Sequence, residues 1–215
     1  VRKVCADDQV RVIVLRGAGR AFCAGGDIPT FAENLDDPAP MVDAILGRLN
    51  ETVALLSEGP RLCVAGVHGA VVGVGVAIAI QSDFCVAAEN AQLMPGYPRV
   101  GLSPDGGATA AAVERLGPRR AIQFFLGEDV VDARRAHEMG LVDKVVPETE
   151  LDTEIAALAQ RLARHPPLAI ARTKALVRQA TRTRLAEQLT AERDAVIAGM
   201  ETEFFRNAVR NFGGL

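Results

Sequence analysis

The chain has 215 residues, of which 49% are apolar, 24% charged and 4% aromatic, with 20 Gly, 11 Pro and a net charge of −3. That balance excludes disorder, a collagen repeat and a disulfide-stapled mini-protein, and the length suits a core built without metal or disulfide support. The signs of charge are mixed, with one Tyr, no Trp and no long basic run, so nucleic acid is not the expected partner.

The first residues, Val1 to Val4, read as the end of a helix. Val10–Leu15 is an apolar, β-branched run and predicts a buried strand. Residues 16–27 read as a loop broken by Gly17, Gly19, Gly25 and Gly26. Asp36-Asp37-Pro38 opens a helix that carries Val42, Ile45, Leu46, Leu49, Val53 and Leu56 at helical spacing and ends at Gly59-Pro60. A strand over Leu62–Val67, a turn at His68-Gly69 and a small-residue helix from about Val74 follow. Leu62 to Ile80 carries no formal charge and is long enough for a bilayer. Its five interruptions (Gly66, His68, Gly69, Gly73, Gly75) and its change of pattern assign it instead to a strand and a buried helix. Strands at Phe84–Ala88 and Ala91–Met94 complete a strand–helix–strand rhythm, the mark of α/β architecture. From Thr109 the pattern is helical almost throughout, with breaks at Gly117-Pro118, Gly127, Gly140, Pro147 and Pro166-Pro167. The C-terminal third is apolar enough to pack on the core or on another chain.

Cys5, Cys23, Cys63 and Cys85 are widely spaced and form no Cys-x-x-Cys. They read as reduced, mostly buried thiols in a reducing compartment, the cytoplasm. Three scattered His add no ligand spacing, so no metal site is expected. His68 reads as a structural hydrogen-bonding residue, and His137 and His165 as surface or packing residues in helices.

Two glycine-bearing loops are the candidate sites: Gly19-Arg-Ala-Phe-Cys-Ala-Gly-Gly-Asp27 and His68-Gly-Ala-Val-Val-Gly-Val-Gly75. A glycine turn into a helix start presents unpaired N–H groups at the positive end of the helix dipole and lets a ligand approach the backbone. The second loop has the glycine spacing of a dinucleotide site, with Glu89 twenty residues past Gly69. A short-chain dehydrogenase needs a Tyr-x-x-x-Lys pair, however, and Gly101 stands four residues after the sole Tyr, Tyr97. No Gly-Lys-Ser/Thr supports a P-loop.

Four ordered segments resemble the crotonase superfamily, the enoyl-CoA hydratase/isomerase family. Val10 to Asp27 is similar to its first signature and His68 to Ala79 to its second, where Asn is more usual than His68. Gly101-Leu-Ser-Pro-Asp-Gly-Gly107 is similar to its third, and Glu138 to Pro147 to the segment after the core. The resemblance implies an α/β fold: a spiral of ββα units over residues 1–118, then a helical trimerisation region over 119–215. It implies an acyl-CoA substrate, no cofactor beyond the coenzyme A that the substrate carries, no membrane, and a homotrimer or dimer of trimers. By position, the N–H groups of Ala24 and Val74 would form an oxyanion hole. Ala24, Gly25, Gly26, Asp27, Ile28 and Tyr97 would contact CoA or substrate, the adenine lying near Ala24, Asp27 and Ile28. The resemblance implies further residues ahead of Val1; a protein truly without them would have an exposed sheet edge and a weaker CoA pocket.

The sequence departs from the hydratase pattern at the two glutamates that handle water and proton: Ala77 and Tyr97 stand there. One carboxylate remains nearby, Asp105, at a place that resembles the proton shuttle of isomerase-type members. Asp105 either shuttles a proton or caps the following helix and holds its loop. Tyr97 is either a donor to substrate or pocket wall. Arg99 either pairs with Asp105 or a CoA phosphate or is a solvated surface residue, and Cys23 reads as a buried thiol. The expected activity is a shift of an enoyl-CoA double bond through a stabilised enolate. The alternatives are hydration by atypical residues and acyl-CoA binding with little turnover.

Overall fold

The computed structural model describes residues 1–128, 130–181 and 185–212. The strands form two sheets, which the chain visits alternately as far as Met94. β1 (Val12–Arg16), β3 (Leu62–Val67), β5 (Phe84–Ala88) and β8 (Lys144–Val146) form one sheet in the order β1-β3-β5-β8, all parallel. The second has the order β2-β4-β6-β7, from β2 (Ala21–Cys23), β4 (Ala70–Val72), β6 (Gln92–Met94) and β7 (Val131–Asp132), and only its β6–β7 pair is antiparallel. Each of the first three turns of the spiral lays one strand in each sheet and then crosses by helix, and β7 and β8 then extend the second and the first sheet. The crossovers are α2 (Ile28–Glu33) with α3 (Ala39–Glu58), then α4 (Val74–Gln81), then α5 (Ala108–Leu116) with α6 (Pro118–Gly127). A short helix α1 (Arg2–Ala6) precedes β1.

The sequence pattern explains most of this. β3 is buried along almost its whole length, as a strand covered on both faces should be. β1, at the edge of its sheet, alternates between covered and open positions, and Val14 is exposed. α3 buries Val42, Leu46, Val53 and Leu56, the helical stripe read from the sequence. α4 is apolar all round and is accordingly buried, Gln81 being its only polar side chain. Residues 62–80 are thus divided among β3, β4 and α4, and no helix among the described residues is long and apolar enough to cross a membrane.

Two expectations need correction. The segments read as loop and turn contain the short strands β2 and β4, three residues each. The region read as helical after Thr109 contains β7 and β8, so the sheets draw strands from both sides of residue 118. Strands of two or three residues are too short to show a period of two. What fixes them is their neighbours: Val145 pairs with Ala87, and Val131 with Leu93.

The main core joins both sheets to α4, α5, α6 and α7 (Ala133–Met139). Its largest fully buried side chains include Phe124, Ile80, Leu93 and Leu141, each worth about 1.5–3 kcal/mol relative to exposure. A second cluster seats α8 (Leu151–Ala163) on the first sheet through Leu151, Ile155, Leu158 and Leu162. Gly66 of β3 permits that approach, since a Cβ there would lie 1.9 Å from Cδ1 of Ile155.

The last helices pack on their own chain. α9 (Pro167–Thr181) is tied to the core by Lys174, which is 6% exposed. Its Nζ donates to the carbonyls of Leu56 (2.7 Å) and Arg61 (2.8 Å) and to Oδ2 of Asp83 (2.6 Å). That oxygen also accepts from the Cys63 amide. A buried ion pair persists only when its spare donors and acceptors are matched in this way. α10 (Leu185–Met200) and α11 (Glu203–Phe212) close over α2 and α3, with Val196, Met200, Phe205 and Val209 against Leu35, Val42 and Leu46.

Candidate active site

The two glycine-bearing loops and the segment from Met94 to Asp105 converge on one cavity of about 490 Å³. Ala24, Gly25, Gly26, Asp27 and Ile28 line it from the first glycine loop, Gly73 and Val74 from the start of α4, and Tyr97, Arg99 and Asp105 from the segment before α5. The remainder is apolar and comes largely from α3 (Met41, Ile45, Leu49) and α10 (Val196, Met200). Among the described lining residues, Asp27, Arg99 and Asp105 carry the charged side chains.

The start of α4 is set by backbone geometry. Gly73 is the N-cap of α4 at φ +51° and ψ −114°, a conformation suited to glycine. Its amide donates to the Met94 carbonyl at 3.0 Å, and its carbonyl accepts from the amides of Val76 and Ala77. The Val74 amide is therefore the first of α4, at the positive end of the helix. Ala24 follows directly on β2. Gly75 brings the two segments together, because a Cβ at Gly75 would meet Cβ of Cys23 at 2.7 Å. Among the described residues, no protein carbonyl accepts a hydrogen bond from the amide of Ala24 or Val74.

Tyr97 and Asp105 stand together. The Tyr97 hydroxyl donates to Oδ1 of Asp105 at 2.9 Å. Tyr97 is 6% exposed and begins a 3-10 turn, Tyr97–Val100, flanked by the left-handed Gly96 and Gly101. Its ring passes above Gly73, with Cζ 3.9 Å from where a Cβ of Gly73 would sit. Asp105 lies in the loop before α5, whose N-cap position is Gly107. That loop is tied to α4 by Gln81, whose Nε2 donates to the carbonyls of Ala77 and Gly106. Ala77 is fully buried outside the cavity lining. A Cβ at Gly106 would lie 3.1 Å from Leu49 and 3.6 Å from Ala77, so the space beside Ala77 is closed by packing.

The residues proposed from the sequence fall as follows. Ala24, Gly25, Gly26, Asp27, Ile28, Val74, Tyr97 and Asp105 all line the cavity. Arg99 lines it with an exposed side chain. His68 is 5% exposed, and its Nε2 donates to the Gly19 carbonyl at 3.0 Å, joining the first two glycine loops. Nδ1 of His137 donates to the Val142 carbonyl, and His165 lies exposed in the bend between α8 and α9 rather than in a helix. Cys63 and Cys85 are buried, and desolvation pushes their thiols up to about 11 and about 12. Cys23 and Cys5 are only partly covered, contrary to the expectation of mostly buried thiols.

Sequence reasoning missed the apolar roof. Met41, Ile45 and Leu49 recur every four residues along α3, and Ile45 remains 40% exposed because it faces the cavity. The spacing was legible; which part of the stripe met core and which met a ligand space was not.

A spiral of parallel ββα units, with a helix N-terminus and an adjacent loop amide facing a largely apolar cavity, defines the crotonase class of acyl-CoA enzymes. The profile of the enoyl-CoA hydratase/isomerase family matches residues 1–213, and the chain belongs to that family. It is 30% identical over 213 residues to the 1,2-epoxyphenylacetyl-CoA isomerase of Escherichia coli K12, covering 99% of this chain and 81% of that protein. It is 34% identical over 199 residues to the crotonyl-CoA hydratase of Syntrophomonas wolfei, covering 91% and 74%. Among solved structures, an enoyl-CoA hydratase from Mycobacterium avium subsp. paratuberculosis K-10 superposes with a TM-score of 0.86 at 33% identity, covering 97% of this chain and 82% of the other.

Proposed function

We propose that this family member moves a double bond along an enoyl-CoA. The amides of Ala24 and Val74 hold the thioester oxygen, and Asp105 is the single base. Asp105 takes a proton from C2 of a 3-enoyl-CoA, and the electron pair delocalises into a dienolate whose charge gathers on that oxygen. The same carboxyl then returns the proton to C4, leaving the 2-enoyl-CoA. No atoms are gained or lost, and the reaction needs no cofactor beyond the CoA of the substrate. Two fixed donors stabilise the enolate more than the neutral carbonyl, which is the difference that lowers a barrier. CoA itself would lie along Ala24 to Ile28.

The observation that carries this reading is that Asp105 faces the cavity while the two hydratase carboxylate positions hold a buried Ala77 and a phenol. Water addition needs one group to orient water and another to protonate carbon, whereas a double-bond shift needs only one. Purified protein supplied separately with 3-enoyl-CoA and 2-enoyl-CoA is expected to convert the first and to hydrate the second far more slowly. Rapid hydration would make the chain a hydratase with atypical residues. Tight binding of both thioesters without turnover would make it an acyl-CoA-binding subunit.

Residues 119–215 also supply the surface for assembly in this reading. α6 exposes Ile122 and Leu126, and α9 exposes Leu168, Leu176 and Val177, large apolar side chains that a second copy would cover. Sedimentation is expected to give three or six times the mass of one chain; a stable monomer would sink this part of the proposal. Four free cysteines support a reducing compartment such as the cytoplasm.

A further inference from the structure

We infer that Tyr97 is the positioning residue of the reaction: its hydroxyl holds Oδ1 of Asp105 and so sets the direction in which that carboxylate meets the acyl chain. The inference rests on the reading of Asp105 as the base. The hydrogen bond is 2.9 Å long and sits at the cavity wall, with Tyr97 itself 6% exposed. The phenol is held at its root as well, since the Leu102 amide donates to the Tyr97 carbonyl at 3.0 Å and left-handed glycines bracket the turn. The loop that carries Asp105 is in turn fixed to α4 through Gln81 and Gly106. Donor and acceptor thus come from two rigid supports. The phenol keeps its proton throughout and exchanges no atom with substrate.

A donor to a carboxylate favours the charged form. Among the described lining residues, the other charged groups are Arg99, on the same turn, and Asp27, on the first glycine loop, and those described from α3, α4 and α10 are apolar. In Tyr97→Phe the donor is lost, Asp105 binds its proton more tightly, and the acid limb of kcat/KM moves to higher pH. The expected move is about one pH unit, roughly tenfold in proton affinity. kcat falls about tenfold through misdirection of the base, and KM is unchanged. Because Tyr97 is the only Tyr of a chain without Trp, growth on 3-fluorotyrosine alters this phenol alone and keeps its packing. The more acidic phenol is expected to move the acid limb to lower pH. For the same reason the intrinsic emission reports on Tyr97 without substrate, and it is expected to titrate with Asp105 and to lose that transition in Asp105→Asn.

An acid limb that stays in place in both Tyr97→Phe and the fluorinated protein, with Asp105→Asn inactive, would overturn the positioning role and leave Asp105 as the base. Full isomerisation by Asp105→Asn would overturn both.

Discussion

Asp105→Asn is expected to lower isomerisation of a 3-enoyl-CoA by about 10²–10⁴-fold, the usual contribution of a general acid–base group. The substitution keeps the shape of the side chain and one acceptor oxygen, so Tyr97 retains a partner and the loop before α5 retains its fold. What disappears is a group able to take a proton and return it. Binding of a saturated acyl-CoA, followed by calorimetry, is expected to change by no more than a few-fold, because the cavity wall from Ala24 to Ile28 and the roof from α3 and α10 are untouched. The effect therefore belongs to kcat. Loss of binding together with turnover would mean that Asp105 holds the site in shape rather than moves a proton. Nothing else among the lining residues can replace it at neutral pH. Asp27 belongs to the first glycine loop, where its Oδ2 accepts from the Thr30 hydroxyl, and Arg99 is a permanent cation. Tyr97, a phenol ordinarily ionised only near pH 10, is a donor here and not a base.

How much of this site could be read from the sequence depended on the kind of feature. The glycine loops were legible because glycine marks a conformation or an approach: Gly73 at a positive φ before α4, Gly75 against Cys23. Those two positions fix where the Val74 and Ala24 amides lie, and amides come with the backbone whatever the side chain. β1, β3, β5 and α3 were legible because each is long enough to show its period. β2, β4, β7 and β8 are two or three residues long and exist only through their ladders, as with Val72 beside Met94. The Tyr97–Asp105 hydrogen bond was invisible for a different reason. Eight residues separate the two, and only the turn between Gly96 and Gly101 folds one back toward the other. The fate of Ala77 was likewise a matter of three dimensions: a small residue there is fully buried, with the Gly106 loop packed beside it.

Val74→Pro is expected to cost about 10²–10³-fold in kcat/KM, the effect of deleting one oxyanion donor. Proline is ordinarily a poor probe because it breaks the helix that receives it. Val74 is the exception, for it is the first residue of α4, where proline is well tolerated and no backbone hydrogen bond is surrendered. The residue before a proline is pushed out of the α region, and Gly73, at ψ −114°, already lies outside it. The melting temperature is therefore expected to hold while activity falls. Val74→Gly supplies the contrast. It removes the side chain yet keeps the N–H, so it is expected to retain activity. The ring of proline also fills the space in front of the lost donor, and this second effect can be separated by ligand chemistry. A CoA thioether has no carbonyl to place against the Val74 amide and is expected to bind the native and Val74→Pro proteins alike, whereas a thioester is expected to distinguish them. A folded Val74→Pro protein with native turnover would show that the enolate charge is stabilised elsewhere, and the assignment of Ala24 and Val74 would fall with it.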